Sequence, residues 1–274
     1  MLAKALGAQS PPRTWVMGII NMTPDSFYDG GRIRGRDAAL EHAARMLDDG
    51  ADVLDLGGES SRPGAAPVSV EAEWARVAPV LEALRSLDGA VSIDTYHAET
   101  AQRALGLGVA MVNDITALRG DPDMAGVVAD AGCDCVLMHM QGEPGTMQQA
   151  PQYDDVVDDV CAFFEERLAF ATTEGIDETA VWLDPGFGFG KRPEHNLAIL
   201  RRLTEFKRFG RPILVGTSNK STIGEVLEAP LDERTEGTAA TIAIAIANGA
   251  DCIRVHDVKA MARVAKMSDA IVRG

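Results

Sequence analysis

Eight times along the chain, a short apolar run rich in β-branched residues gives way to an amphipathic helical pattern. No other feature restricts the fold as much. Strands are expected near Val16–Ile20, Asp52–Leu56, Val91–Asp94, Ala110–Asn113, Cys135–Met138, Val181–Asp184, Ile213–Gly216 and Cys252–Val255. Helices are expected near Asp37–Asp49, Glu71–Ser86, His97–Gly106, Asp123–Ala131, Asp154–Glu174, Pro193–Arg208, Glu233–Asn248 and Lys259–Val272. Gly50, Gly108, Gly132, Gly175, Gly210 and Gly249 each follow a helical pattern, where the closing left-handed turn favours glycine. Three of them open nearly the same phrase, Gly50-Ala-Asp, Gly132-Cys-Asp and Gly249-Ala-Asp, each leading into a strand. A continuous apolar run such as residues 14 to 20 suits a strand covered on both faces, as in a parallel sheet. Eight strand–helix units in about 250 residues match an α/β fold of the (β/α)8 TIM-barrel type. A doubly wound sheet is the alternative, but no Gly-x-Gly-x-x-Gly turn follows the first strand. No linker interrupts residues 14–274, which are expected to form one barrel domain behind a flexible leader, residues 1–13.

Charge and composition exclude several classes of function. Twenty-six basic residues against 41 acidic ones give a net charge of −15, which repels nucleic acid and anionic membrane surfaces. No apolar run reaches the roughly 18 residues that span a bilayer, and the N-terminus has no signal-peptide core. A cytoplasmic protein acting on small molecules is expected. Cys133, Cys135, Cys161 and Cys252 lack metal-finger spacing and fit buried free thiols.

If the barrel forms, the C-terminal strand ends share one mouth, where such folds place their sites. Those ends are polar throughout: Asn21, Glu59-Ser-Ser-Arg62, Asp94, Asn113-Asp114, His139, Asp184, Ser218-Asn-Lys220, and Arg254 with His256. Any one of them could merely cap the following helix; eight together point to a site. Asp94, Asn113 and Asp184 suit a flat heterocycle with adjacent N–H donors, because a carboxylate accepts paired hydrogen bonds and an amide gives and takes. Lys220, Arg254, Arg62 and His256 offer cations for phosphate oxygens. Thr222-x-x-Glu225 reads as a capping box, placing a second helix N-terminus beside Lys220 and Ser221 as a seat for another anion. Asp184-Pro-Gly-Phe-Gly-Phe-Gly-Lys191 lacks P-loop spacing; its glycines allow a tight bend while Phe187 or Phe189 covers something flat. Met138-His-Met140 fits either core packing or the wall of a ring slot. The polar loop 21–31 is either a ligand-holding strand end or an ordinary surface turn.

Asn21-Met-Thr-Pro-Asp-Ser-Phe-Tyr-Asp-Gly-Gly31, Gly57-Gly-Glu-Ser-Ser-Arg-Pro-Gly64, Ser92-Ile-Asp-Thr95, Asn113-Asp-Ile115, Met138-His-Met140, the Asp184–Lys191 loop, Ser218-Asn-Lys220 and Arg254-Val-His256 together resemble the dihydropteroate synthase family, from Trp15 to Ile271. The resemblance implies a transferase of folate biosynthesis that joins 6-hydroxymethyl-7,8-dihydropterin diphosphate to 4-aminobenzoate. It implies a pterin site of Asp94, Asn113, Met138, Asp184, Phe189, Gly216 and Lys220, and a diphosphate site of Asn21, Ser61, Arg62, Arg254 and His256. It also implies Mg²⁺ carried by Asn21 and an aminobenzoate seat at Ser218, Asn219 and Ser221, with Asp184, Lys220, Arg254 and His256 as the catalytic set.

Two positions depart from the family pattern: Asn219 stands where Arg is usual and Ser61 where Thr is common. The first removes a cation beside the second substrate; the second keeps the hydroxyl. A pterin-dependent methyltransferase of the same fold would share the Asp/Asn/Asp slot but has no use for Arg254, His256 and the Ser-x-Lys-Ser loop; a pterin-binding paralogue with weak, altered or no aryl-amine chemistry is encouraged by Asn219 alone, against the intact Arg62, Asp184, Lys220 and His256. The Thr238–Asn248 segment is apolar on nearly every face, which suggests a homodimer partner covering it.

Overall fold

A computed structural model of the protein describes residues 2, 13–23, 32–60 and 64–274. Ser61, Arg62 and the Asp25–Gly31 part of the first loop lie outside the described residues. Eight parallel strands follow one another around a barrel: β1 Trp15–Asn21, β2 Val53–Gly57, β3 Ala90–Asp94, β4 Met111–Asp114, β5 Asp134–Met138, β6 Val181–Asp184, β7 Leu214–Val215 and β8 Cys252–Val255. β1 pairs with both β2 and β8. The last seam, between β6 and β7, is closed by a parallel bridge of Leu183 to Ile213 and by the Leu183 N–H donating to the Pro212 carbonyl at 2.9 Å. The outer ring comprises α1 Arg32–Asp48, α2 Val70–Leu84, α3 Ala98–Gly106, α4 Met124–Ala131, α5 Val156–Thr173, α6 Pro193–Arg201, α7 Ser221–Leu227, α8 Thr235–Ala247 and α9 Val258–Val272.

Period-two alternation sorts each strand between two cores. Outward positions such as Val16, Ile20, Leu54, Leu56, Ile93, Val112, Leu137, Leu183, Val215 and Ile253 are buried against the helices. Truncating one of them, Leu54 to Ala for instance, is worth about 2–5 kcal/mol of stability. Inward positions near the strand starts form a second apolar plug of Met17, Val53, Met111, Val136, Trp182, Leu214 and Cys252. Leu2, within the stretch read as a leader, is fully buried in this plug, and its N–H reaches the Asp134 carboxylate. One step further along each strand the interior turns polar, and that layer faces the mouth.

Two helices differ from expectation. The Pro193–Arg208 pattern ends as an α-helix at Arg201 and continues as a 3-10 segment, Leu203–Phe209. Three residues per turn align Leu203 with Phe206 on the core, both with no exposed surface. After β7, α7 begins at Ser221 with Lys220 as its N-cap, so Thr222 is inside the helix and forms no capping box. Its hydroxyl instead accepts from Asn196 Nδ2 at 2.8 Å.

All four cysteines are buried and free. No helix among the described residues is long and apolar enough to cross a membrane.

Candidate active site

The strand register lifts Asp94 on β3 level with Gly57 on β2 and Asn113 on β4, and Asp184 on β6 level with Met138 on β5. All these side chains point inward by the same alternation that filled the plug below them. Arg254 on β8 crosses the interior to meet them. Its Nε donates to Asp55 Oδ2 at 2.6 Å and one Nη to Asp94 Oδ2 at 2.5 Å. Asn113 Nδ2 donates to the same Asp55 oxygen at 3.1 Å. Asp55 is wholly buried, and its other oxygen has no partner. Burial raises the Asp94 carboxyl to about 7, with the Arg254 charge opposing and Asp55 reinforcing the shift. Near neutrality Asp94 is therefore poised between accepting hydrogen bonds as a carboxylate and holding a proton.

Across the mouth, Asp184 caps its own loop by accepting from the Gly186 N–H at 2.7 Å. Burial pushes its carboxyl up, and the Lys220 charge pulls it back toward the ionised form. Lys220 Nζ donates to the Phe187 carbonyl at 2.5 Å and sits 4.1 Å from the centre of the Phe189 ring. Burial lowers this ammonium to about 7, the Asp184 charge working the other way. Phe189 joins Met138, Met140, Met147 and Ile115 in a small apolar cluster at the rim. The mouth thus combines a thioether-and-ring wall with carboxylate and amide acceptors, the composition expected of a slot for a flat polar heterocycle.

The loop between Asp184 and Lys191 is built around Lys191, whose importance the sequence did not reveal. Its Nζ lies 2.8 Å from His139 Nδ1 and donates toward the carbonyls of Gly186 (3.0 Å), Phe189 (3.1 Å) and His139 (3.3 Å). The lysine is buried, and desolvation holds it well below its ordinary range. His139, at the β5 end, is consequently a support and not a mouth residue: burial, then the Lys191 charge, keeps its imidazole neutral. Gly186 and Gly190 adopt φ of 67° and 61°, and a Cβ at either would collide with the carbonyl of His139 or Gln141. Asp114 also turns away from the mouth, accepting from the Thr116 and Leu118 N–H groups at 2.7 and 2.8 Å to fold the turn that follows.

On the β7–β8 side, Ser218 Oγ lies 2.9 Å from His256 Nδ1. Asn219 is left-handed (φ 59°), a conformation Asn tolerates better than most residues. Its N–H donates to Thr238 Oγ1 at 3.2 Å and its carbonyl accepts from Arg234 Nη1 at 3.0 Å. Ser221 is exposed at the first turn of α7, and Gly216 follows β7 beside Arg254. Asn21 is half-buried at the inward end of β1. The structure thus gathers Asp94, Asn113, Asp184, Lys220 and Arg254 at one mouth and keeps Ser218 with His256 beside β8. Asp55 was missed because it lies within the β2 run and not at its polar end; an acid on the inward alternation two residues before the strand end was the available signal.

A family model described as pterin binding enzyme matches residues 17–256. A dihydropteroate synthase of Synechocystis is 46% identical over 263 residues, spanning 95% of this chain and 91% of its own length. The chain belongs to the dihydropteroate synthase family of pterin-binding enzymes. Solved structures agree. A dihydropteroate synthase from Clostridium difficile, determined with pteroic acid, superposes with a TM-score of 0.91 at 46% identity, covering 97% of this chain and 99% of that one. One from Xanthomonas albilineans in complex with 7,8-dihydropteroate gives 0.85 at 40% identity, covering 94% of each.

Proposed function

We propose that the chain is a dihydropteroate synthase that forms 7,8-dihydropteroate and diphosphate from 6-hydroxymethyl-7,8-dihydropterin diphosphate and 4-aminobenzoate. The observation that carries the proposal is the two-sided polar layer: Asp94 and Asn113, tied to Arg254 through one buried ion-pair lattice, face Asp184 and Lys220 across one apolar-walled mouth.

In this reading the N–H groups of the pterin edge donate to Asp94 and Asp184 and the Asn113 amide pairs beside them, with Lys220 above the ring and Met138, Phe189 and Gly216 around its faces. The exocyclic methylene carbon loses its bond to the diphosphate oxygen, which leaves with the electron pair. The aryl amine nitrogen then forms the new C–N bond and sheds a proton to solvent or to the departing diphosphate. Positive charge on the methylene spreads into the pterin beside Asp94 and Asp184, and the charge growing on the leaving group falls to Arg62, Arg254, His256 and the hydroxyl of Ser61. Binding has one electrostatic requirement. Arg254 already holds Asp94, so a pterin must share that carboxylate with the guanidinium or displace it toward the diphosphate.

Mg²⁺ fits the set at one point. Asn21 offers a neutral, hard amide oxygen, half-buried at the mouth end of β1, and Mg²⁺ characteristically takes few protein ligands alongside phosphate oxygens. Bound with the diphosphate, the ion would supply charge neutralisation to the leaving group. The exposed start of α7 with Ser218, Asn219 and Ser221 would receive the aminobenzoate carboxylate, and Asn219 in place of Arg leaves it one cation short. Residues 14–274 act as one barrel domain, into whose plug Leu2 is also packed, and the enzyme is cytoplasmic. A homodimer would cover α8, whose Ala240, Ile244 and Ala247 form an exposed small-apolar stripe.

Release of diphosphate and formation of dihydropteroate from the two substrates test the activity. Wild-type turnover that falls at least about a hundredfold in Asp184→Asn and Lys220→Ala supports it, each removing one electrostatic contact near the reacting centre. No diphosphate release from the wild type overturns it.

A further inference from the structure

Beside the mouth, three elements bring acidic and imidazole groups together without forming part of the pterin slot. Glu59 follows β2, Glu73 lies in the first turn of α2, and His97 is the N-cap residue of α3. One oxygen of each carboxylate is used: Glu73 Oε2 accepts from Thr100 Oγ1 (2.6 Å) and Thr95 Oγ1 (3.0 Å) and lies 2.9 Å from His97 Nδ1, while Glu59 Oε1 accepts from Tyr96 Oη at 2.6 Å. The other oxygen of each, Glu73 Oε1 and Glu59 Oε2, is buried without a hydrogen-bond partner, Glu59 Oε2 lying 4.0 Å from His97 Nδ1. The Glu73 side chain is only 1% exposed, and that of Glu59 11%. Both line one small pocket that Asp94 also lines. One donor atom from each of Glu59, Glu73 and His97 lies within 4.8 Å of the other two.

Two desolvated carboxylates, each with one oxygen lacking a hydrogen bond and sharing a single imidazole, leave room for a further positive charge between them. We propose that Glu59, Glu73 and His97 form a divalent-cation site, separate from any ion carried by the substrate diphosphate. Two oxygen donors and one imidazole favour Zn²⁺ or Mn²⁺, with water completing the shell. Thr95, Thr100 and Tyr96 hold the ligand carboxylates by their second oxygens, the outer hydrogen bonds that orient metal ligands. Ligation uses the His97 Nδ1 lone pair, so the ring proton resides on Nε2 and the contact between Nδ1 and Glu73 gives way to the metal bond. The ion would fasten Glu59, at the root of the loop after β2, to α2 and to the β3–α3 turn that follows Asp94.

The test uses chelator-treated full-length protein without substrates, dialysed separately against ZnCl₂ and MnCl₂, with bound metal counted by mass spectrometry and Mn²⁺ followed by electron paramagnetic resonance. One ion per chain is expected, with affinity lowered at least about tenfold in Glu59→Gln and in His97→Ala and unchanged in Asn21→Ala. Circular dichroism verifies that each variant is folded; should Glu59→Gln fail, His97→Ala at the helix cap decides. Absence of stoichiometric uptake of either ion overturns the site. Uptake that survives both ligand variants overturns it equally. Because no substrate is present, either result leaves the assignment of the pterin reaction to be judged on its own assay.

Discussion

Changing Asp55 to Asn keeps the shape of the side chain and removes the charge that anchors Arg254. Asp55 has no exposed surface, and its Oδ2 receives both Arg254 Nε at 2.6 Å and Asn113 Nδ2 at 3.1 Å. Breaking a buried ion pair by removing one partner costs about 3–5 kcal/mol. Asp94 still holds the guanidinium at 2.5 Å, so the lower end applies, about 3 kcal/mol. At roughly 2–4 °C of Tm per kcal/mol in a chain of this size, the melting temperature should fall by about 6–12 °C. The pH dependence should change as well. Like charges about 5 Å apart repel by about 3 kcal/mol at an effective dielectric near 20, which sets an upper bound of about two pH units for two carboxylates sharing one guanidinium. Losing Asp55 therefore lowers the Asp94 carboxyl from about 7. A carboxyl raised on folding contributes stability that is present below its unfolded value near 4 and is lost as pH rises through 7. Wild-type Tm should thus decline over that window from this group, and the variant should decline less. If ionised Asp94 accepts from the pterin, the acid limb of kcat/KM moves down by about one unit in the variant. Differential scanning calorimetry from pH 4 to 8 and a pH–rate profile read both effects. A Tm within about 1 °C of wild type together with an unmoved acid limb would refute the lattice as the origin of either property.

Lys191→Met removes the donor shared by three carbonyls and one imidazole; each group left unsatisfied costs about 1–3 kcal/mol, so KM for the pterin diphosphate should rise with a lower Tm, and Lys191→Arg should not rescue a pocket sized for one ammonium. Asn219→Arg supplies a cation beside Ser221 and should tighten 4-aminobenzoate in calorimetric titration by about two- to fivefold, a surface-type charge gain of up to about 1 kcal/mol, against a small penalty for the left-handed backbone. Ile244 is 50% exposed on α8; the proposed dimer through α8 requires a dimeric wild type and a monomeric Ile244→Asp by light scattering at micromolar concentration, and a monomeric wild type or an unaltered mass in the variant would refute it.

The barrel and most of its mouth were legible locally. Eight strand patterns, glycine stops and polar strand ends are short-range features, and the inward direction of Asp94, Asn113, Met138, Asp184 and Arg254 follows from period-two alternation once the strand ends are known. His139 and Asp114 show where such reading stops. Both stand at strand ends with mouth-like chemistry, yet Lys191 claims the first and the Thr116–Leu118 turn claims the second. The capping box at Thr222 failed because Asn196, 26 residues earlier, takes the hydroxyl that would have capped the helix.

What the chain wrote into its own local order was the number of units, their handed succession and the polarity of the rim, because propensity and periodicity act between near neighbours. What closure alone decided was which charges meet: Arg254 reaches Asp55 from 199 positions away, and Asp94 from 160. That choice depends on β8 returning to pair with β1, and on burial that makes a short ion pair strong and a lone carboxylate expensive.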